Sequence, residues 1–117
     1  MPPKNAAAST GDRLPPRVLQ DTASMFALLS ATVRLHILWL LAVGDRDVGT
    51  LAQETGQSVA TVSHHLGKLK LAGLVRAHRH GKHHVYVATD PDVLEVIRLA
   101  IGGHLERSQP RRRAHHG

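Results

Sequence analysis

The stretch "VGTLAQETGQSVATVSHHLGKLKLAGLVRAHRHGKHHVYV" constrains the fold more than any other part of the chain, because its hydrophobic period changes once, at a glycine. Up to Ala72 the apolar residues recur at intervals of three and four, the spacing of one helix face. Beyond Gly73 they move toward alternation, the spacing of a strand. Gly56 interrupts the helical part. Asp47 is a good N-cap for the short helix before it, and the helix after it runs from about 58 to 72. Two helices joined by a glycine-containing turn of three or four residues make a helix-turn-helix. Gly81 and Lys82 then supply the turn of a β-hairpin. A hairpin directly after a helix-turn-helix is a wing.

Around this segment the chain reads as helix. A first helix runs from about 18 to 29, with Leu19, Met25, Phe26 and Leu29 on its apolar side. Ser30 or Thr32 can cap a second, "RLHILWLLAV", which is apolar on nearly every side and so belongs at the centre of the fold, with His36 partly buried on it. Gly44 ends it. From Asp90 or Asp92 a last helix reaches Arg107, and Val93, Ile97, Ala100, Ile101 and His104 form a stripe too apolar to face water. The expected fold is mainly α with a β-hairpin wing: a winged helix-turn-helix of five helices over 17–107. Residues 1–16, rich in Pro, Ala and Ser without periodicity, read as a disordered arm, and 108–117 as a disordered basic tail that carries His115 and His116.

A chain of 117 residues supplies one modest core, and dimerisation is a natural way to bury more surface. Aromatic residues make up 3%, so that core must come from Leu, Val, Ile and Ala. A net charge of +6 implies a polyanionic partner, nucleic acid ahead of a membrane surface. Without cysteine there is no disulfide, thiolate metal site or thiol switch. The N-terminus lacks a signal-peptide core, and no window holds the roughly 18 apolar residues of a membrane span. The expectation is a soluble cytoplasmic protein. Histidines without a spaced acid or base, and no Gly-rich phosphate loop, argue against an enzyme.

The helix after Gly56 carries the most specific functional signal. At about 100° per residue, Val59, Val62, Leu66 and Leu69 share the core-facing arc, while Gln57, Thr61, His64 and Lys68 point away, with His65 on their flank. Amide, hydroxyl, imidazole and ammonium groups are the types that reach base edges and phosphates in a major groove. From Gln57 to His84 there are five Lys or Arg residues and no Asp or Glu, whereas an ordinary solvated face mixes signs. Gln57, Ser58, Thr61, Ser63, His64, His65, Lys68, Arg76, Arg79 and Lys82 are therefore the candidates for contact with double-stranded DNA. The adjacent His64 and His65 diverge too far on a helix to ligate one metal ion.

The segments "LLSATVRLHILWLL", "VGTLAQETGQSVATVSHHLGKLKLAGLV" and "RAHRHGKHHVYV" resemble the ArsR/SmtB family of bacterial winged-helix regulators. The match rests on Ser63, His64, Leu66, Leu69, Ala72, Gly73, Leu74 and Val75, and on Arg34, Leu35, Ile37 and Leu38 in the second helix. The resemblance implies a homodimer joined by its first and last helices, with Val93, Ile97, Ala100 and Ile101 at the interface. It also implies a repressor that binds an operator and lets go when an inducer, usually a metal ion, binds. The family's cysteine site is ruled out by composition. Its last-helix site is matched only by Asp92, His104 and Glu106, an oxygen and nitrogen set suited to nickel(II) or zinc(II) and completed across the dimer. Against this, His104 can be a hydrogen-bonded interface residue. His78, His80 and His83 on the wing offer a second trio, although Arg79 and Lys82 beside them favour phosphate contact. The alternative is a member that senses no metal and acts constitutively or with an accessory protein partner.

Overall fold

Gly44, Gly56, Gly73 and Gly81 all fall at element boundaries in the computed structural model, which describes residues 13–109. The expected N-terminal arm and basic tail lie largely outside these residues, as do His115 and His116. The chain divides into two units, 1–31 and 32–117.

The first unit contains helix α1, Pro16–Leu29. It starts two residues before the position that apolar spacing alone predicts. Proline is favoured in the first turn, where its missing N–H would have no helical partner and its fixed φ already fits. Ser30 caps the end of this helix, its hydroxyl donating to the Ala27 carbonyl, rather than the start of the next. Val18, Leu19 and Phe26 are exposed and Leu29 is buried.

The second unit runs α2 (Thr32–Val43), β1 (Arg46–Asp47), α3 (Val48–Thr55), α4 (Val59–Leu71), β2 (Val75–His80), β3 (His83–Ala88) and α5 (Pro91–Arg107). Its sheet has the order β1-β3-β2, antiparallel throughout. The centre is α2, which packs against α3, α4, α5 and β3. Its Ile37 and Leu38 meet Leu51 of α3, Val62, Leu66 and Leu69 of α4 and Val93 and Ile97 of α5 in one aliphatic core, all of them buried. At roughly 1.5–3 kcal/mol for each fully buried aliphatic side chain, this cluster is the main stabilising term in the unit. His36, expected to be partly buried, is exposed and lines an open groove of about 310 Å³ with Thr32, Leu35, Trp39 and Ile101.

Capping fixes the helix starts. Asp47 accepts from the Thr50 N–H, and Asp90, not Asp92, accepts from the N–H groups of Asp92 and Val93. β1 is too short to leave a sequence signature, yet it positions Arg46. That guanidinium donates to the carbonyls of Leu40 and Gly44 at 2.7 and 2.6 Å, and to Glu54 of α3 at 2.6 Å. It thereby gives the Leu40 carbonyl, which also accepts from the Gly44 N–H at 3.2 Å, a second donor, engages the Gly44 carbonyl just past the helix, and ties α2 to α3.

Candidate nucleic-acid interface

Three residues, Gly56, Gln57 and Ser58, separate α3 from α4. Gly56 sits at φ 71°, a left-handed conformation that glycine adopts without steric cost, and its N–H closes α3 by donating to the carbonyls of Ala52 and Gln53. Ser58 opens α4 by accepting from the Thr61 N–H at 3.0 Å, and the two hydroxyls lie 3.0 Å apart. Ser58 and Thr61 are thus engaged in the cap, a role that the outward-facing pattern does not reveal.

Val62, Leu66 and Leu69 seat α4 in the core, as their spacing predicts. Val59 does not join them: it is 51% exposed. Helical period gives direction around the axis but not how far along it the packing extends, and Val59 is the first residue of the row. Gln57, Ser58, Ser63, His64 and Lys68 are exposed and Thr61 is half-exposed.

His65 differs from this group. It is half-buried, its Nδ1 lies 3.0 Å from a guanidinium nitrogen of Arg34 on α2, and its ring meets that of His64 edge-on at 5.3 Å. Burial, then the positive charge of Arg34, then His64 and Lys68, hold His65 below the ordinary imidazole value.

The wing continues the cationic surface. Gly81, at φ 66°, and Lys82 form the two-residue turn, and His80 pairs with His83 as the turn length requires. Arg76, Arg79 and Lys82 are exposed. Thr89 pins the hairpin base to the end of α4: its N–H donates to the Leu74 carbonyl and its hydroxyl to that of Gly73.

Neither expected metal constellation comes together within one chain. Among the described residues no group of three His, Cys, Asp or Glu side chains is placed to hold an ion. His78, His80 and His83 form no such group, although His80 and His83 are cross-strand partners, and His83 Nδ1 lies 3.6 Å from Asp47 Oδ2 of β1. Asp92 and His104 lie twelve positions apart on α5, about 18 Å along the axis at 1.5 Å per residue. His104 Nδ1 also lies 3.1 Å from an Arg107 guanidinium nitrogen, which puts a cation beside the imidazole.

The apolar stripe of α5 also has a different destination. Val93 and Ile97 are buried in the core of their own chain, Ile101 is half-buried and Ala100 exposed. α5 packs on α2, so the stripe was already committed to an intrachain partner. The exposed large apolar residues of this helix are Val96, Leu99 and Leu105, which the stripe did not include. The signal that could have found them is a second apolar row at three-residue spacing, Val96 and Leu99.

Comparison with known proteins agrees with this architecture. The family model described as "Bacterial regulatory protein, arsR family" matches residues 32–77. The chain is 33% identical over 95 residues to the HTH-type transcriptional regulator KmtR of Mycobacterium tuberculosis, covering 81% of this chain and 73% of that one. It is similar to the homodimeric winged helix-turn-helix DNA-binding domain of a Mycobacterium bovis protein, with a TM-score of 0.69 and 33% identity, over 83% of this chain and 93% of that one. It is also similar to the AntR antimony-specific transcriptional repressor, with a TM-score of 0.75 and 28% identity, over 83% and 88% of the two chains. The chain therefore belongs to the ArsR family of bacterial winged-helix regulators, and it is a DNA-binding transcriptional regulator rather than an enzyme.

Proposed function

We propose that this regulator contacts duplex DNA through the exposed row of α4 and the wing, and that it represses by occupying an operator. One observation carries the assignment. Lys68, Lys70, Arg76, Arg79 and Lys82 are all exposed in a stretch of chain that contains no acidic residue. In this reading Gln57, Ser63, His64 and Lys68 meet the major groove, and Arg76, Arg79 and Lys82 meet phosphate. Ser58 and Thr61 hold the helix start in place. A folded His64→Ala/Lys68→Ala double variant should lose operator affinity by roughly 1–3 kcal/mol for a lost base contact. Unchanged binding in a mobility assay at fixed salt overturns the assignment.

Two copies act together in this proposal. The Mycobacterium bovis domain is homodimeric, and Val96, Leu99 and Leu105 of α5 present apolar surface that a second copy would cover. α1 exposes Val18, Leu19 and Phe26 in the same way.

A metal-responsive form of this function draws support from the likeness to an antimony-specific repressor. Within one chain Asp92, His104 and Glu106 do not fit a metal site, so a nickel- or zinc-type site from these residues requires two chains. Titration calorimetry with nickel and zinc on wild type and His104→Ala tests it. Equal affinities in the two proteins remove His104 from any such site and leave a regulator that works without it.

A further inference from the structure

The α4 assignment leaves open what sets the rotation of that helix about its own axis. Its inner face is held by Val62, Leu66 and Leu69, and apolar contact is non-directional, so it specifies position more closely than rotation. A turn of about 20° moves a side chain at the helix periphery, about 5–6 Å from the axis, by about 2 Å. That is enough to break a hydrogen bond to a base edge. His65 lies between the buried row and the exposed row, and it makes a directional contact with another helix: its Nδ1 is 3.0 Å from Arg34 of α2, in a part-buried pair.

Guanidinium has only donors, so at this distance Nδ1 must be the acceptor and must carry no proton. The proton of the neutral ring is then on Nε2. We propose, building on the assignment of α4 to DNA, that Arg34 is a positioning residue for operator recognition: through His65 it fixes the rotation of α4 and keeps His65 as an Nε2–H donor. Protonating Nδ1 would replace the bond with two cations in contact. The charged and titratable groups around His65 are Arg34 from α2 and His64 and Lys68 on α4 itself, and all of them oppose a positive charge there, as does burial. His65 is therefore a neutral hydrogen-bonding part of this surface, unlike a phosphate-binding cation.

The test has one arm without DNA and one with it. Nitrogen NMR of the full wild-type chain at pH 7 should show His65 with Nδ1 unprotonated and Nε2 protonated, and in Arg34→Ala its titration should move upward. A protonated Nδ1 in the wild type overturns the proposal, whatever the fate of the α4 assignment. The second arm uses a duplex that the wild type selects from a randomised library. Arg34→Ala and His65→Ala should each weaken binding about three- to tenfold, and the double variant no further, as expected of residues acting through one contact. His65→Asn should restore part of the affinity, because its Oδ1 accepts from Arg34 near the place of Nδ1. The slope of log affinity against log salt should be unchanged in Arg34→Ala, whereas loss of a direct phosphate contact lowers it by about 0.9. A reduced slope, additive losses, or no rescue by asparagine each overturn the proposal. Failure of the wild type to select any duplex refutes the α4 assignment and leaves the NMR result standing.

Discussion

His65 and Asp47 show how a single residue's protonation state follows from what surrounds it. His65 is held below the ordinary imidazole value by burial and then by Arg34, so the unfolded chain takes up its proton first on acidification. Its contribution to stability is complete above the ordinary histidine value, about 6.5, and is lost as pH falls through the lower folded value. The urea midpoint should therefore fall over that window in the wild type, and fall less in His65→Gln. Equal slopes for the two proteins would remove His65 as a source. Asp47 acts in a more acidic range. Hydrogen bonds from the Thr50 N–H and hydroxyl, opposed by a small burial effect and helped by His83, lower its carboxyl. Its contribution is present above the ordinary carboxylate range and is lost as pH falls through the lower folded value. The capping that lowers Asp47 is legible in the string, three residues from Thr50, whereas the effect on His65 is not, because Arg34 and His65 stand 31 positions apart.

At the scale of elements, α5 and α4 give predictions that separate folding from function. Ile97→Glu places a carboxylate in the core of its own chain, where Ile97 is 2% exposed, and it should unfold the protein rather than merely produce monomers. Leu99→Glu, at a position 68% exposed, should leave the far-UV spectrum and the thermal midpoint of the subunit near wild type. It should instead shift sedimentation toward monomer and weaken operator binding; a dimer unaffected by this change would place the interface elsewhere. Ser58→Ala removes the cap of α4 and should cost about 1 kcal/mol in chemical denaturation. Arg46→Ala removes donors from the carbonyls of Leu40 and Gly44 and from Glu54, and should cost about 1–3 kcal/mol.

For the whole molecule, the net charge of +6 and the acid-free stretch from Gln57 to His84 predict strongly salt-dependent DNA binding. Arg79→Ala and Lys82→Ala should each lower the slope of log affinity against log salt by about 0.9 if the side chain meets a phosphate, with little change in sequence preference. An unchanged slope would take the wing off the DNA. What the sequence determined by itself was whatever depends on neighbours along the chain: the order of the helices, the three-residue turn at Gly56, the two-residue wing turn at Gly81 and Lys82, and the exposed basic row. Backbone period, capping and turn chemistry act over a few residues, so they can be read from a string. Tertiary structure decided the rest. It set β1 against β3, turned Val93 and Ile97 inward and left Leu99 outside, exposed Val59 and His36, gave the wing histidines no metal-holding trio, and brought Arg34 to His65. Each of these depends on which remote segment a side chain meets, and that is fixed only when α2 has α3, α4, α5 and β3 packed around it.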